Sequence, residues 1–268
     1  MLNDDHVMHF IAFGYVPLRG LFSRAEAAAL REEFERLLME EFPDFDGSRS
    51  RGVAHICERG ERHAALLADE RLLDIPRKIL GHDFVYEGSA GHGHVGDTPW
   101  HGGSGVVTWG LPHIKVSLYL DDLTADDGCL RVVPGAHRNY LRFVDPRWSQ
   151  APDYYLPLRN RNTTEEFRPW GLPPDEVPHI PLESSLGDVL VFTEDIPHAA
   201  FGGPGMRVQL AIAFMANPVS AEQQGWLKER QASSGEIRPP RSFIESDDPR
   251  KRKMVQPLVD LGFEPRDT

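Results

Sequence analysis

At 268 residues the chain is long enough for one large domain with a sizeable core, and mainly β domains of this size are commonly undivided, so a single unit over residues 1–268 is expected. A net charge of −12 speaks against a nucleic-acid partner, because phosphate binding needs a basic face. Glycine at 24 and proline at 22, scattered instead of clustered, suit many turns between short strands and not a disordered or fibrous chain.

The first 45 residues read as a short strand followed by a helix. Phe13-Gly14-Tyr15-Val16-Pro17-Leu18 is a compact apolar segment. Ser23, with Glu26 three positions on, has the form of a reciprocal helix cap. Leu30, Phe34, Leu37 and Leu38 then fall at helical spacing, so this helix should lay one apolar face on the body and stop before Pro43. Residues 46–52 read as a loop, and Leu66 to Leu80 as a second helix ended by Gly81.

From Phe84 the pattern changes to short strands. Phe84–Glu87, Ile114–Leu120, Gly128–Val133, Asp188–Phe192 and Val208–Phe214 are β-rich runs punctuated by Gly, Pro and Asp, as strands are. Alternation in the second and last gives each an inward and an outward face. The expected fold is mainly β with flanking helices: N-terminal helices over about 23–80 and a double-sheet jelly roll over about 84–217. A helical tail over about 218–268 ends in a final helix after Asp247. Between Asn139 and His179 lies a long aperiodic stretch rich in arginine and aromatic residues, which reads as a lid inserted at about 139–180.

Cys57 and Cys129 are the two cysteines; they form no metal-type pair, and no disulfide framework is expected. The chain has no apolar run long enough for a transmembrane helix and no secretory leader pattern at Met1–Asp5, so no membrane association and a cytoplasmic location are expected.

The chemistry concentrates at His101-Gly102-Gly103, His198 and Arg207. Two imidazoles and one carboxylate on one face of iron mark non-haem Fe(II) oxygenases, usually spelled His-any-Asp with a distant second His. Here Gly103 stands in the Asp slot. Either iron chemistry is lost, or something not covalently supplied fills the position. His101 and His198 each sit beside a strand in a Gly/Pro-rich bend, as converging ligands at the mouth of a jelly roll must. Arg207 follows the second His and could anchor a dicarboxylic co-substrate in bidentate fashion; its bland alternative is a strand-end Arg paired with a surface acid. His92-Gly93-His94 offers a cupin-like alternative, but the expected Glu and Pro-any-Gly companions are missing, so both read as pocket or surface residues.

Phe13-Gly14-Tyr15-Val16, Trp100-His101, Leu118-Tyr119-Leu120-Asp121-Asp122, Asp127-Gly128-Cys129-Leu130-Arg131-Val132-Val133-Pro134-Gly135-Ala136-His137, Gly187-Asp188-Val189-Leu190, His198 and Arg207 occur in an order that resembles the phytanoyl-CoA dioxygenase family of Fe(II)/2-oxoglutarate oxygenases. The resemblance covers about residues 10 to 217. It implies a cupin-like double-stranded β-helix and a requirement for Fe(II), 2-oxoglutarate and O2. It makes His101 and His198 the iron ligands and Arg207 the 2-oxoglutarate anchor. It further implies that Thr98 and Gln209 hydrogen-bond the co-substrate, that Tyr119 points at it, and that His137 serves the turn structurally. In hydroxylases of that family the slot of Gly103 is a carboxylate; in halogenating relatives it is Ala or Gly, with chloride or bromide on the iron. The reading that follows is radical halogenation of an unactivated aliphatic C–H, with release of succinate and CO2. Its alternatives are a hydroxylase using water or Asp97 in the gap, a hydroxylase whose aspartate was replaced by glycine to admit halide, and a metal-free ligand-binding relative. The substrate is expected to be a small, anionic molecule such as an amino acid, a nucleotide or a carrier-bound acyl group. Arg142, Arg159, Arg161 and Trp148 of the lid are the candidates to hold it.

Overall fold

Asn3 accepts the His6 N–H at 2.9 Å and the His6 ring accepts the Asn3 N–H at 3.2 Å, which starts helix α1 (Asp4–Phe13). The sequence reading lacks this helix. Of its residues only Phe10 is buried, while Met8, Ile11 and Phe13 are exposed, so its apolar residues mark no single face. In the computed structural model, residues 2–102, 111–138, 172–203, 205–235 and 237–267 are described.

Gly14, at φ +82°, ends α1 in the left-handed region, and a Cβ there would lie 2.4 Å from His137 Nδ1. The turn at Pro134–His137 therefore docks on the exit of α1, with the Gly135 N–H donating to Phe13 O at 2.8 Å. That placement agrees with a structural role for His137. Strand β1 (Tyr15–Leu18) follows, then α2 (Arg24–Glu41) with the expected Ser23/Glu26 cap and Leu30, Phe34, Leu37 and Leu38 buried. The expected loop ends in a strand, β2 (Arg51–Ala54). Two short helices come next, α3 (Ile56–Arg59) and α4 (Glu61–Leu66). The helix expected from Leu66 starts later, as α5 (Glu70–Leu80), because the Asp69 side chain caps it by accepting the Arg71 N–H.

The core strands are β3 (Val85–His94), β4 (Thr98–His101), β5 (His113–Tyr119), β6 (Leu130–Val132), β7 (Ile180–Leu182), β8 (Val189–Thr193), β9 (His198–Ala200) and β10 (Arg207–Met215). They form two antiparallel sheets, β1-β8-β5-β10-β3-β2 and β4-β9-β6-β7, and the protein is a jelly roll with flanking helices. Ile114, Val116, Leu118, Val189, Val191, Leu210 and Ile212 of the larger sheet pack with Leu30, Phe34 and Leu37 of α2. Leu190 and Phe192 point the other way, toward Leu130 and Val132 of the smaller sheet. Three further helices, α6 (Ala221–Ser234), α7 (Arg241–Ile244) and α8 (Pro249–Asp260), close the far end, where Leu227 and Leu258 pack with Val85 and Met215. No helix among the described residues is long and apolar enough to cross a membrane.

Asp188 explains the Gly187-Asp188 motif before β8. Its carboxylate accepts the Gly20 N–H at 2.7 Å, the Ser185 N–H at 2.9 Å and Arg19 Nη1 at 2.7 Å, pinning β1 to β8. Burial pushes this carboxyl up, but the Ser185, Arg19 and Gly20 donors together outweigh it and hold the group below its usual value. Asp188→Asn is therefore expected to cost about 2 kcal/mol near neutral pH, the scale of hydrogen bonds to a charged group. A depressed folded-state pKa stabilises fully above the unfolded value of about 3.9 and loses that stabilisation as pH falls through the folded value. The gap between wild type and variant in urea unfolding should thus narrow on acidification; an equal gap at both pH values would contradict the account.

Candidate active site

Strands β4 and β9 pair so that Thr98 lies opposite Ala200 and His101 opposite His198, with an irregularity between. One extra residue on the β4 side bends that strand, as β-bulges do beside active sites. The two imidazoles stand with ring centroids 4.0 Å apart. His101 Nδ1 lies 2.8 Å from Pro99 O, and His198 Nδ1 lies 2.8 Å from Ile196 O. A carbonyl only accepts, so in the neutral rings Nδ1 carries the proton and Nε2 the lone pair. His198 is buried, and burial, reinforced by the positive charge of His101 and Lys115, drives its pKa well below the usual imidazole value. Such a ring is held in the ligand form.

Arg207 begins β10, opposite His94 of β3, and is 2% exposed. Its Nη2 donates to Gly96 O at 2.8 Å, while Nη1 is buried with no hydrogen-bond partner among the described residues. Gly128 sits at φ +78°, and a Cβ there would come within 2.7 Å of Nη1; glycine is what lets the guanidinium occupy this place. Two residues along the same face, Gln209 Nε2 donates to Ser117 Oγ at 3.0 Å and its Oε1 meets His94 Nε2 at 3.1 Å. Tyr119 lies directly across from Gln209, its phenol pushed above the usual range by burial against the opposing pull of Arg207.

This inner face of the larger sheet opens to solvent. Gly88, Ala90, His92 and His94 of β3, Lys115 of β5, and Ala211 and Ala213 of β10 are all partly accessible, whereas the alternate residues against the helices are buried. Arg207, Gln209, His94 and Lys115 share this face, and His198 comes near it through the Phe192 ring, 4.9 Å away, and the charge of Lys115. An imidazole pair with Nε2 lone pairs suits Fe(II), and a buried guanidinium with an unused donor suits a carboxylate, so the residues present fit both groups.

Of the residues singled out in sequence, His101, His198, Arg207, Tyr119 and Gln209 line this region, and Thr98 opens β4. Asp97, the candidate stand-in for the missing carboxylate, accepts the Gly202 N–H on Oδ1 at 3.1 Å. Among the described residues no group of three or more His, Cys, Asp and Glu side chains could hold a metal. Gly103, and the lid residues Arg142, Trp148, Arg159 and Arg161, lie outside the described residues. Sequence reasoning missed Lys115 and Ser117 and left the side of His94 open. The signal was the alternation Lys115, Ser117, Tyr119, a polar face that ordinarily means solvent and here means the interior of the roll.

A model of the phytanoyl-CoA dioxygenase (PhyH) family matches residues 10–208. The chain belongs to that family. PhyH proteins are Fe(II)/2-oxoglutarate-dependent dioxygenases, an oxidoreductase class. Ectoine dioxygenase of Stutzerimonas stutzeri (strain A1501) is 32% identical over 157 residues, 52% of this chain and 51% of the relative. L-Proline trans-4-hydroxylase of Streptomyces griseoviridis is 28% identical over 139 residues, 46% and 51% of the two chains. The chain spans about half the length of the curated relatives it matches. HygX from Streptomyces hygroscopicus with nickel and 2-oxoglutarate bound superposes with a TM-score of 0.63 at 21% identity, covering 81% of this chain and 88% of that one. The 2-oxoglutarate-dependent carbocyclase SnoK from nogalamycin biosynthesis gives 0.60 at 18%, covering 81% and 85%. These two likenesses are of fold.

The burial of His198 has a measurable consequence for this PhyH chain. In the metal-free protein its ring resonances are expected to change to those of the charged form only well below the ordinary imidazole value of about 6.5. An NMR titration checks this, and a midpoint near the ordinary value would contradict the buried position.

Proposed function

We propose that the chain is a non-haem Fe(II)/2-oxoglutarate-dependent oxidoreductase acting on an unactivated aliphatic C–H bond of a small molecule. The observation that carries this reading is Arg207, a buried guanidinium whose Nη1 has no partner among the described residues, on the same inner sheet face as Lys115, whose charge reaches His198. An unpaired buried cationic donor is costly, and a co-substrate carboxylate removes the cost. His101 and His198 would hold iron through Nε2. Arg207 would bind the distal carboxylate of 2-oxoglutarate, with Gln209, Tyr119 and Thr98 around it. Bound iron and 2-oxoglutarate supply O2 activation coupled to decarboxylation, with succinate and CO2 released. The chain's own part is positional: Pro99 O and Ile196 O orient the two imidazoles, and the chain of contacts from His94 through Gln209 to Ser117 fixes the floor.

Gly103 favours a second, finer reading. With no side chain at that position, and with Asp97 held by Gly202, a chloride or bromide ion would take the carboxylate's place and the outcome would be halogenation. Hydroxylation by the same residues is the alternative, and the names of the ectoine and proline relatives support it.

Anaerobic titration of the protein with Fe(II) and 2-oxoglutarate is expected to give a weak visible charge-transfer band. Arg207→Met should weaken 2-oxoglutarate binding by at least about thirtyfold, as removal of one partner of a buried charge pair does. A metal-free binding protein would give no band, and an unchanged affinity in the variant would remove Arg207 from the site. Chloride should perturb the band in the wild type and not in Gly103→Asp. A wild-type spectrum indifferent to chloride, together with hydroxylated product, would leave the hydroxylase reading standing and halogenation refuted.

A further inference from the structure

On the inner face of β5, Ser117 is engaged by Gln209 and Tyr119 lies against Gln209 in the ladder, but Lys115 has no such partner on its neighbouring strands. Its register mates are Phe192 of β8 and Ala213 of β10. The ammonium stands 3.4 Å from Glu194 Oε1, with the two side chains 29% and 17% exposed, and 6.0 Å from the centre of the Phe192 ring. Phe192 in turn lies 4.9 Å from the His198 ring, and the charge of Lys115 reaches both His198 and His94. Lys115, with Glu194 beside it, therefore stands near His198.

Three features make this pair unlike a surface ion pair. It is largely buried beside the site, so its residual charge is poorly solvated. Its 3.4 Å separation is looser than the ~2.7–2.9 Å of a charge-assisted hydrogen bond. Among the described residues no hydrogen bond completes either group. Arg207 is buried behind Gly128 and Gly203, in the position assigned above to 2-oxoglutarate, which leaves Lys115 as the accessible cation near His198 among the described residues. A ligand bringing only a carboxylate would satisfy Lys115 and be repelled by Glu194; one bringing only an ammonium would meet the reverse. A ligand carrying both charges satisfies both, with its aliphatic part over Phe192.

We propose that Lys115 and Glu194 are the specificity-determining clamp for a small zwitterion of amino-acid type, carboxylate on Lys115 and ammonium on Glu194, with its C–H bonds held toward His101 and His198. The inference rests on the oxygenase reading above and names the substrate class of that site. The test is calorimetric binding to the wild-type protein loaded with Fe(II) and 2-oxoglutarate under argon. The probes are the protein amino acids, each beside its carboxamide and its N-acetyl form. At least one free amino acid should bind, and either blocked form should bind about tenfold to a hundredfold more weakly, the value of one hydrogen bond to a charged group. Lys115→Met should erase the difference between acid and amide, and Glu194→Gln the difference between amine and N-acetyl form. The clamp is overturned if no free amino acid binds or if blocked forms bind as tightly as the parents, comparisons that need no variant. It is equally overturned if Lys115→Met weakens 2-oxoglutarate as much as Arg207→Met does, which would place Lys115 in the co-substrate subsite. Binding of 2-oxoglutarate to the wild type without amino acid reports on the oxygenase reading separately: if it fails, that reading falls, and if it holds while the panel fails, only the clamp falls.

Discussion

The site depends on the register between two very short strands. β4 has four residues and β9 three, and a pair of that length is marginal without further support. Support comes from β6, which pairs with β9 on its other side through Arg131 opposite Ala199. A small apolar cluster of Trp100, Val133, Ala136, Val177 and Ala199 adds to it, anchored by the Trp100 indole on Pro174 O at 2.8 Å. A slip of one residue would turn either histidine to the opposite face. The bulge between Thr98 and His101 also matters here, because it sets the phase in which both rings emerge on one side. Once the rings emerge there, each Nδ1 finds the carbonyl two residues earlier, and ring orientation follows from the path of its own strand.

The larger sheet supplies the contrast that makes the opposite wall. Along β10, Val208, Leu210, Ile212 and Phe214 are at most 1% exposed and belong to the cluster under α2, while Arg207 and Gln209 face inward. Burying inward polar groups is costly unless they are hydrogen-bonded. His94, Gln209 and Ser117 meet that condition among themselves. Arg207 meets it with one nitrogen and not with the other. Within one rigid strand, therefore, a satisfied amide and a half-satisfied guanidinium stand side by side. The first builds the wall, and under the proposed function the second is left for a ligand.

Legibility from sequence followed element length and the source of each constraint. The Ser23/Glu26 cap and the burial of Leu30, Phe34, Leu37 and Leu38 are local and strongly periodic, and α2 formed as expected. Helix α1 carries an equally local cap at Asn3, but its apolar residues are spread around the helix. Leu66 to Leu80 has continuous helical composition, and only Asp69 marks the break. β4, β7 and β9, at three or four residues, are too short for a pattern of two to register. They exist because neighbours pair with them. His101, His198 and Arg207 stood out by residue type and order, which is a statement about chemistry and not about periodicity. Lys115 and Glu194 did not stand out, since a lysine in an alternating strand ordinarily faces water, and the closing of the roll that reverses this is a tertiary event.

Charge balance ties the proposed chemistry to the missing carboxylate. Among the described residues the inner face carries Arg207 and Lys115 as cations, with Glu194 beside Lys115. A metal site of the usual kind would place one protein carboxylate beside the iron, as its third protein ligand, and lower the positive charge there. Here Gly103 gives no such offset, and burial already disfavours a second positive charge next to His101, as the depressed pKa of His198 shows. A divalent cation held by these two rings would therefore be under-compensated by the described residues and would draw on further anions. Under the proposed function 2-oxoglutarate would bring two negative charges, one of them matched by Arg207, and would leave the iron short of the anion that an aspartate would have been. The same arithmetic operates at Lys115, whose loose contact with Glu194 favours a ligand that is neutral overall and charged at both ends. Within the proposed function, then, the described residues of the site do little to neutralise what binds there, and selectivity rests on which anions and zwitterions complete it.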